Sequence, residues 1–133
     1  MDHIGAALAA NVANILIGLN WKVVLERLSA NRAATSDIVA TDPEGRTYVI
    51  EVKLGQGRTH FSEVAQVESL ARDLRSEDKS SSVTPILLTT REVPASIKGA
   101  AQKVGVEIVE ASGDSTDVAD TVVTYLANKP SPK

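Results

Sequence analysis

The sequence predicts an α/β domain built on a mixed five-stranded sheet with helices on both faces. Three observations predict it. Residues 36–53 alternate apolar and polar positions around an Asp42-Pro43-Glu44-Gly45 turn, the pattern of a hairpin. Beyond it, an uninterrupted apolar run at Ile86-Leu87-Leu88 and a strand at Val106–Glu110 flank a helical stretch, the pattern of parallel strands joined by a crossover. Hydrophobic residues make up 43% of the chain and aromatics only 3%, which gives a core of Val, Ile, Leu and Ala, as in sheets covered by helices. With 133 residues the chain holds one domain, expected over 1–127, with 128–133 as a disordered tail.

The elements follow in order. A helix is expected from about Asp2 to Leu19, with Ile4, Leu8, Val12, Ile15, Leu16 and Leu19 on its buried face. Its opposite stripe, Ala7, Asn11, Asn14 and Gly18, is small or amide and reads as an exposed face or a close-approach surface. Asn20 ends this helix, Trp21–Leu28 is the first strand, and Ser29–Thr35 is a polar connection carrying Arg32. After the hairpin, Gly55–His60 is a flexible loop leading into a helix over Phe61–Glu77, which buries Phe61, Val64, Val67, Leu70, Ala71 and Leu74. Asp78–Thr84 is a polar loop and Pro85–Thr90 a central strand. Pro94 takes the first position of a helix that turns Ile97, Ala100, Ala101 and Val104 inward, and Gly105 caps it. Val106–Glu110 is the fifth strand, Ser112–Ser115 a turn, and Thr116–Ala127 the last helix, with Val118, Val122 and Leu126 at helical spacing.

The hairpin carries the chemistry. Closing it with Asp42 paired to Arg46 sets Thr41 against Thr47, Val39 against Val49 and Asp37 against Glu51. Alternation then puts Asp37, Val39, Val49, Glu51 and Lys53 on one face and Ile38, Ala40, Tyr48, Ile50 and Val52 on the other. Like charges directly opposite in a ladder destabilise it unless something positive lies between them. Lys53 is one candidate, and the better one is a divalent cation. Mg²⁺ is commonly held by one or two carboxylates and takes phosphate oxygens among its remaining ligands, which would place a phosphate beside Lys53. The plainer alternative is that both acids are solubilising charges at strand ends.

Composition narrows the classes further. There is no cysteine, so disulfides and thiolate zinc sites are excluded, and His3 and His60 are the only histidines. No basic leader precedes the first apolar stretch and no apolar run reaches membrane-spanning length; a cytoplasmic protein with no membrane partner is expected. The net charge of −3 gives no global attraction to nucleic acid, so any such binding is local. Lys53, Arg58, Arg72, Arg75 and Lys79 gather after the hairpin, although a solvated helix face accounts equally well for Arg72 and Arg75. The loop Gly55-Gln56-Gly57-Arg58-Thr59-His60 superficially matches a dinucleotide-binding turn, but His60 stands at the third glycine position and the strands before it are antiparallel. Two glycines, an arginine and a histidine suit a phosphodiester backbone better, with a merely solvated His60 as the alternative.

Asp37, Glu51 and Lys53, standing as Ser36-Asp37 and Glu51-Val52-Lys53 after a helix and a strand, resemble the PD-(D/E)xK nuclease superfamily. The later stretch PILLTTREVPASIKGAAQKVGVEIVEA is similar to the strand-helix-strand half of Mrr-type restriction endonucleases and archaeal Holliday-junction resolvases, so the resemblance covers almost the whole chain. It implies a restriction-endonuclease-like fold and Mg²⁺- (or Mn²⁺-) dependent cleavage of phosphodiester bonds. It also implies that Asp37 and Glu51 bind the metal with the Val52 carbonyl, and that Lys53 orients and acidifies the attacking water. Gln66 resembles a supporting glutamine of some branches, or is an ordinary helix-surface residue. Two positions depart from the pattern. Ser36 stands where many relatives have proline, and Ala9-Ala10-Asn11 where close relatives carry a glutamate, leaving Asn11 and Asn14 as the nearest amide oxygens.

The leading expectation is therefore a small metal-dependent nuclease, a DNA endonuclease, contacting nucleic acid through Arg32, Arg58 and His60. A homodimer is expected if both strands are cut, since one small site cuts one strand. The alternatives are a catalytically weak or inactive nucleic-acid-binding module of nuclease fold within a larger complex, and a protein-interaction domain using the Ala7, Asn11, Asn14, Gly18 stripe.

Overall fold

Asp42 organises the turn on which the sheet is built. Its N–H donates to the Arg46 carbonyl at 2.9 Å, its Oδ1 accepts from the N–H groups of Glu44 and Arg46, and its Oδ2 pairs with Arg46 Nε at 2.7 Å. Gly45 takes the left-handed backbone, φ +90, that ends the turn. The computed structural model describes residues 3–27, 36–77 and 82–129. The order is α1 (His3–Gly18), β1 (Lys22–Arg27), β2 (Ser36–Thr41), β3 (Arg46–Lys53), α2 (Phe61–Glu77), β4 (Ser82–Thr89), α3 (Ala95–Lys103), β5 (Glu107–Glu110) and α4 (Ser115–Ala127). Leu28, expected to end the first strand, the connection 29–35 with Arg32, the residues 78–81 with Lys79, and the tail from Pro130 lie outside the described residues. Lys129, just before that tail, forms an ion pair with Glu107 at 2.7 Å.

The strands stand in the order β1-β2-β3-β4-β5, with β1, β2 and β3 antiparallel and β3, β4 and β5 parallel. The hairpin register is the expected one: Thr41 opposite Thr47, Val39 opposite Val49, Asp37 opposite Glu51. Each face of the sheet has its own core. Ile38, Ala40, Tyr48, Ile50 and Val52 pack under α1 (Leu8, Ala9, Val12, Leu16) and α4 (Val118, Ala119, Val122, Leu126). On the other face Val49, Val83 and Leu87 meet Val64, Val67 and Ala71 of α2, Ala101 of α3, and Val106. Ile86, Leu87 and Leu88 are fully buried between these layers, as a central strand requires.

Several boundaries and faces differ from expectation. β4 starts at Ser82 instead of Pro85, because its parallel ladder with β3 reaches back to Arg46 opposite Ser82 and recruits polar residues that local pattern assigns to a loop. Pro85 is tolerated there because pairing with β5 begins only at Ile86, so one side of the strand makes no demand on the missing N–H. Pro94 is the N-cap of α3 (φ −61, ψ 151) and not its first residue, so the helix starts one residue later than expected. Val104 is 42% exposed, while Val106, beyond the left-handed Gly105, is buried in its place. Phe61 is 43% exposed, since the buried stripe of α2 starts a turn later at Val64. Among the described side chains of α1, those that reach the core are Leu8, Ala9, Val12, Ala13 and Leu16, whereas Leu19 is half exposed and Ile4 lies outside the described side chains. The alanines let the helix approach closely, and Asn20, φ +71, ends it. The stripe Ala7, Asn11, Asn14, Gly18 is exposed.

Candidate active site

The register across three strands lines up the candidate residues. Asp37 lies opposite Glu51 on one side and opposite Glu26 on the other. Directly opposite residues share a face, so Glu26, Asp37 and Glu51 form one row of acids, continued by Leu87 and Ile108. This is the face covered by α2 and α3, near the carboxyl ends of β1, β3 and β4. Hairpin periodicity yields the Asp37–Glu51 pair, but Glu26 enters only through the β1–β2 pairing, which no local pattern announces.

Glu51 is fully buried, with apolar Val49 before it on its own face and Leu87 beside it on β4. A carboxylate in such surroundings is costly unless positive charge lies close. Lys53, next on the same face, brings its Nζ to 3.9 Å from Glu51 Oε2, and its side chain is only 14% exposed. Val52 turns its own side chain into the opposite core, so its backbone carbonyl is what it can offer here.

Past Lys53 the chain is a loop, as composition predicts, and hydrogen bonds strap it to the end of β4. The Lys53 carbonyl accepts from Thr89 Oγ1 (2.8 Å) and Thr90 N–H (3.2 Å), and Thr90 Oγ1 lies 3.0 Å from both the N and the O of Gly55. Arg91 donates Nε to the Leu54 carbonyl (3.1 Å) and Nη1 to Glu63 Oε2 (2.9 Å), while Glu63 Oε1 accepts the His60 N–H at the start of α2. Thr59 N–H donates to the Glu92 carbonyl and Glu92 N–H to the Gly57 carbonyl. Gly55 (φ +101) and Gly57 (φ +118) supply the left-handed backbone this path needs. Neither composition nor motif singles out Arg91, Glu63 and Thr89. Their one sequence signal is Glu63 three residues after His60, the spacing of a capping glutamate.

The strap presents Arg58, whose side chain is 66% exposed, and an exposed His60 at the end of the sheet that carries Lys53. Gln66 is half-buried on α2, the helix over this face. Other expected residues fall elsewhere. Arg75 holds the Val83 carbonyl at the far end of β4, and Arg72 pairs with Glu68 along α2, so neither joins the cluster after the hairpin. Asn11 and Asn14 are exposed on α1, which covers the opposite face of the sheet, so they supply no amide oxygen to the acid row.

Among solved structures the chain is similar to the apo form of EndoMS, with a TM-score of 0.60 and 20% identity over 79% of this chain. The fold is restriction-endonuclease-like. The match takes in 46% of the EndoMS chain, so this chain corresponds to about half of that neighbour. No protein-family model and no curated protein matches the sequence. Among the described residues no helix is long and apolar enough to cross a membrane.

Proposed function

We propose that this chain is a metal-dependent nuclease of the PD-(D/E)xK type that hydrolyses phosphodiester bonds, with DNA as substrate. The observation that carries the reading is a fully buried Glu51, opposite Asp37 in the ladder and 3.9 Å from Lys53, on a restriction-endonuclease-like fold. Like charges on adjacent strands, one of them removed from water, weaken a sheet and are retained where a cation is to be held.

The donor chemistry fits a hard cation. Asp37, Glu51 and the Val52 carbonyl are oxygen ligands, the set Mg²⁺ or Mn²⁺ accepts, with water and phosphate oxygens completing it. The set that the resemblance implies is two carboxylates and a carbonyl. When bound, the ion supplies a lowered pKa for the attacking water and neutralises charge on the phosphoryl oxygens.

The chain's own residues do the rest. Lys53 orients the water and sets a second positive charge beside the developing anion. Val49 and Leu87 keep bulk water from the Glu51 carboxylate, which strengthens every charge interaction there. Arg58 and His60, fixed by the strap, contact backbone phosphates on either side of the scissile bond, and Gln66 supports the water from α2. Attack on phosphorus breaks one P–O ester bond and leaves a phosphate monoester and a free hydroxyl.

The test is nicking of supercoiled plasmid, and cleavage of a four-way junction, in Mg²⁺, Mn²⁺ or EDTA. Wild type should cut with metal alone, and Lys53→Ala and Asp37→Asn should both abolish cutting. A wild-type protein that cuts neither substrate with either ion refutes the nuclease reading and leaves a nucleic-acid-binding module, recognised by a salt-dependent affinity.

A further inference from the structure

Thr89 ends β4 directly opposite Lys53, which ends β3, and directly opposite residues share a face of the sheet. Thr89 is fully buried. A hydroxyl kept from water needs partners, and the two it has are of fixed polarity. The Arg91 N–H can only donate, and it lies 2.9 Å from Thr89 Oγ1; the Lys53 carbonyl can only accept, and it lies 2.8 Å from the same atom. A hydroxyl has one proton, so that proton goes to Lys53.

The bond falls where the β3–β4 ladder stops. The Lys53 carbonyl also takes the Thr90 N–H, at the longer distance of 3.2 Å, and two residues on the chain turns through the left-handed Gly55. The hydroxyl thus fixes the peptide plane immediately after Lys53. Lysine carries its ammonium on a flexible four-carbon stem, so the place of Nζ depends on how the root of that stem is held. Here Nζ stands 3.9 Å from Glu51 Oε2. Threonine suits the task because its β-branched side chain is stiff about χ1 and loses little freedom in holding the bond.

We propose that Thr89 is a positioning residue for Lys53, acting through the Lys53 peptide. This role rests on the nuclease reading, in which Lys53 stands beside the attacking water. Being fully buried, Thr89 touches no substrate, and its effect is on the geometry of the reacting groups alone. A misplacement of about 1 Å there costs about 100-fold in rate. The strap bearing Arg58 and His60 has its own anchors, in the Arg91–Glu63 ion pair and the main-chain bonds of Glu92 to Gly57 and Thr59, so DNA binding should be spared.

Three substitutions test the role. Thr89→Val removes the hydroxyl and keeps its volume, Thr89→Ala removes both, and Thr89→Ser keeps the hydroxyl. In plasmid nicking at saturating Mg²⁺, well below Tm, Val and Ala should lower kcat at least about tenfold with KM for DNA within about twofold, while Ser stays within about threefold of wild type. A second readout needs no cleavage. In trace acetylation of the native chain, read by mass spectrometry, Lys53, whose side chain is 14% exposed, should react at least about threefold faster in Thr89→Val, with the exposed Lys98 and Lys103 unchanged. A kcat near wild type in both hydroxyl-free variants, a loss that falls on KM, or a Ser variant as slow as Val each overturns the role. Wild type that cuts nothing refutes the nuclease reading instead, and the acetylation then decides alone. In either case an unchanged Lys53 rate in Thr89→Val overturns the role.

Discussion

Replacing Glu51 by Gln separates a functional carboxylate from a structural one. The change keeps shape and removes one charge. At 3.9 Å from Lys53, with an effective dielectric of about 20, that charge gains about 4 kcal/mol of attraction. Holding an ionised carboxylate fully out of water costs a comparable amount, on the order of several kcal/mol, which Gln does not incur. The two nearly cancel, so without divalent metal Glu51→Gln should unfold within about 1 kcal/mol of wild type in urea. Cleavage should behave otherwise, falling at least about 100-fold with the loss of a ligand. A third readout links the two. Metal at ten times its Kd adds about 1.4 kcal/mol to wild-type stability, raising Tm by roughly 5 °C, and should add nothing to Glu51→Gln. Cleavage within tenfold of wild type would refute Glu51 as a ligand. A stability loss of about 3–5 kcal/mol would show instead that the Glu51–Lys53 pair is a buried structural ion pair.

Other changes probe the frame around the site. Arg91→Ala removes two charge-assisted contacts, to the Leu54 carbonyl and to Glu63. It should cost about 2 kcal/mol and raise KM for DNA more than it lowers kcat, and Arg91→Lys, lacking the two-pronged donor, should not rescue it. Asp114→Ala destroys the capping box with Asp117 at the start of α4 and should lower stability by about 1 kcal/mol, seen as a Tm drop of roughly 4 °C, with cleavage unchanged. Burial, then the hydrogen bond to Glu107, holds the Tyr125 phenol above its ordinary value of 10.0, and burial raises Tyr48 as well. The unfolded chain releases these protons first. Stability is therefore fully present below pH 10 and is lost as pH climbs toward the folded-state values. Thermal melts between about pH 9 and 11 should show that fall, and Tyr125→Phe should flatten it.

Local chemistry in the sequence determined the hairpin completely. Asp42, Pro43 and Gly45 admit one tight turn, and a turn of fixed length sets the register of both strands, so Asp37 opposite Glu51 followed without tertiary information. Alternation and helical period likewise sorted Ile38, Ile50 and Tyr48 from Val49, and placed Val118, Val122 and Leu126 inward. What the tertiary structure decided involves partners far apart in the chain. Glu26 joins the acid row through a pairing across a connection whose length does not set register. Ser82–Thr84 become strand because β3 offers them a ladder. The Gly55–His60 loop, flexible by composition, is held by Thr89, Thr90 and Arg91, more than 25 residues away. Phe61 and Val104 are exposed because packing selects only the part of each apolar stripe that reaches the sheet. Short-range rules follow from steric and hydrogen-bond limits within a few residues, whereas a cross-strand row or a side-chain strap exists only once distant segments have been brought together.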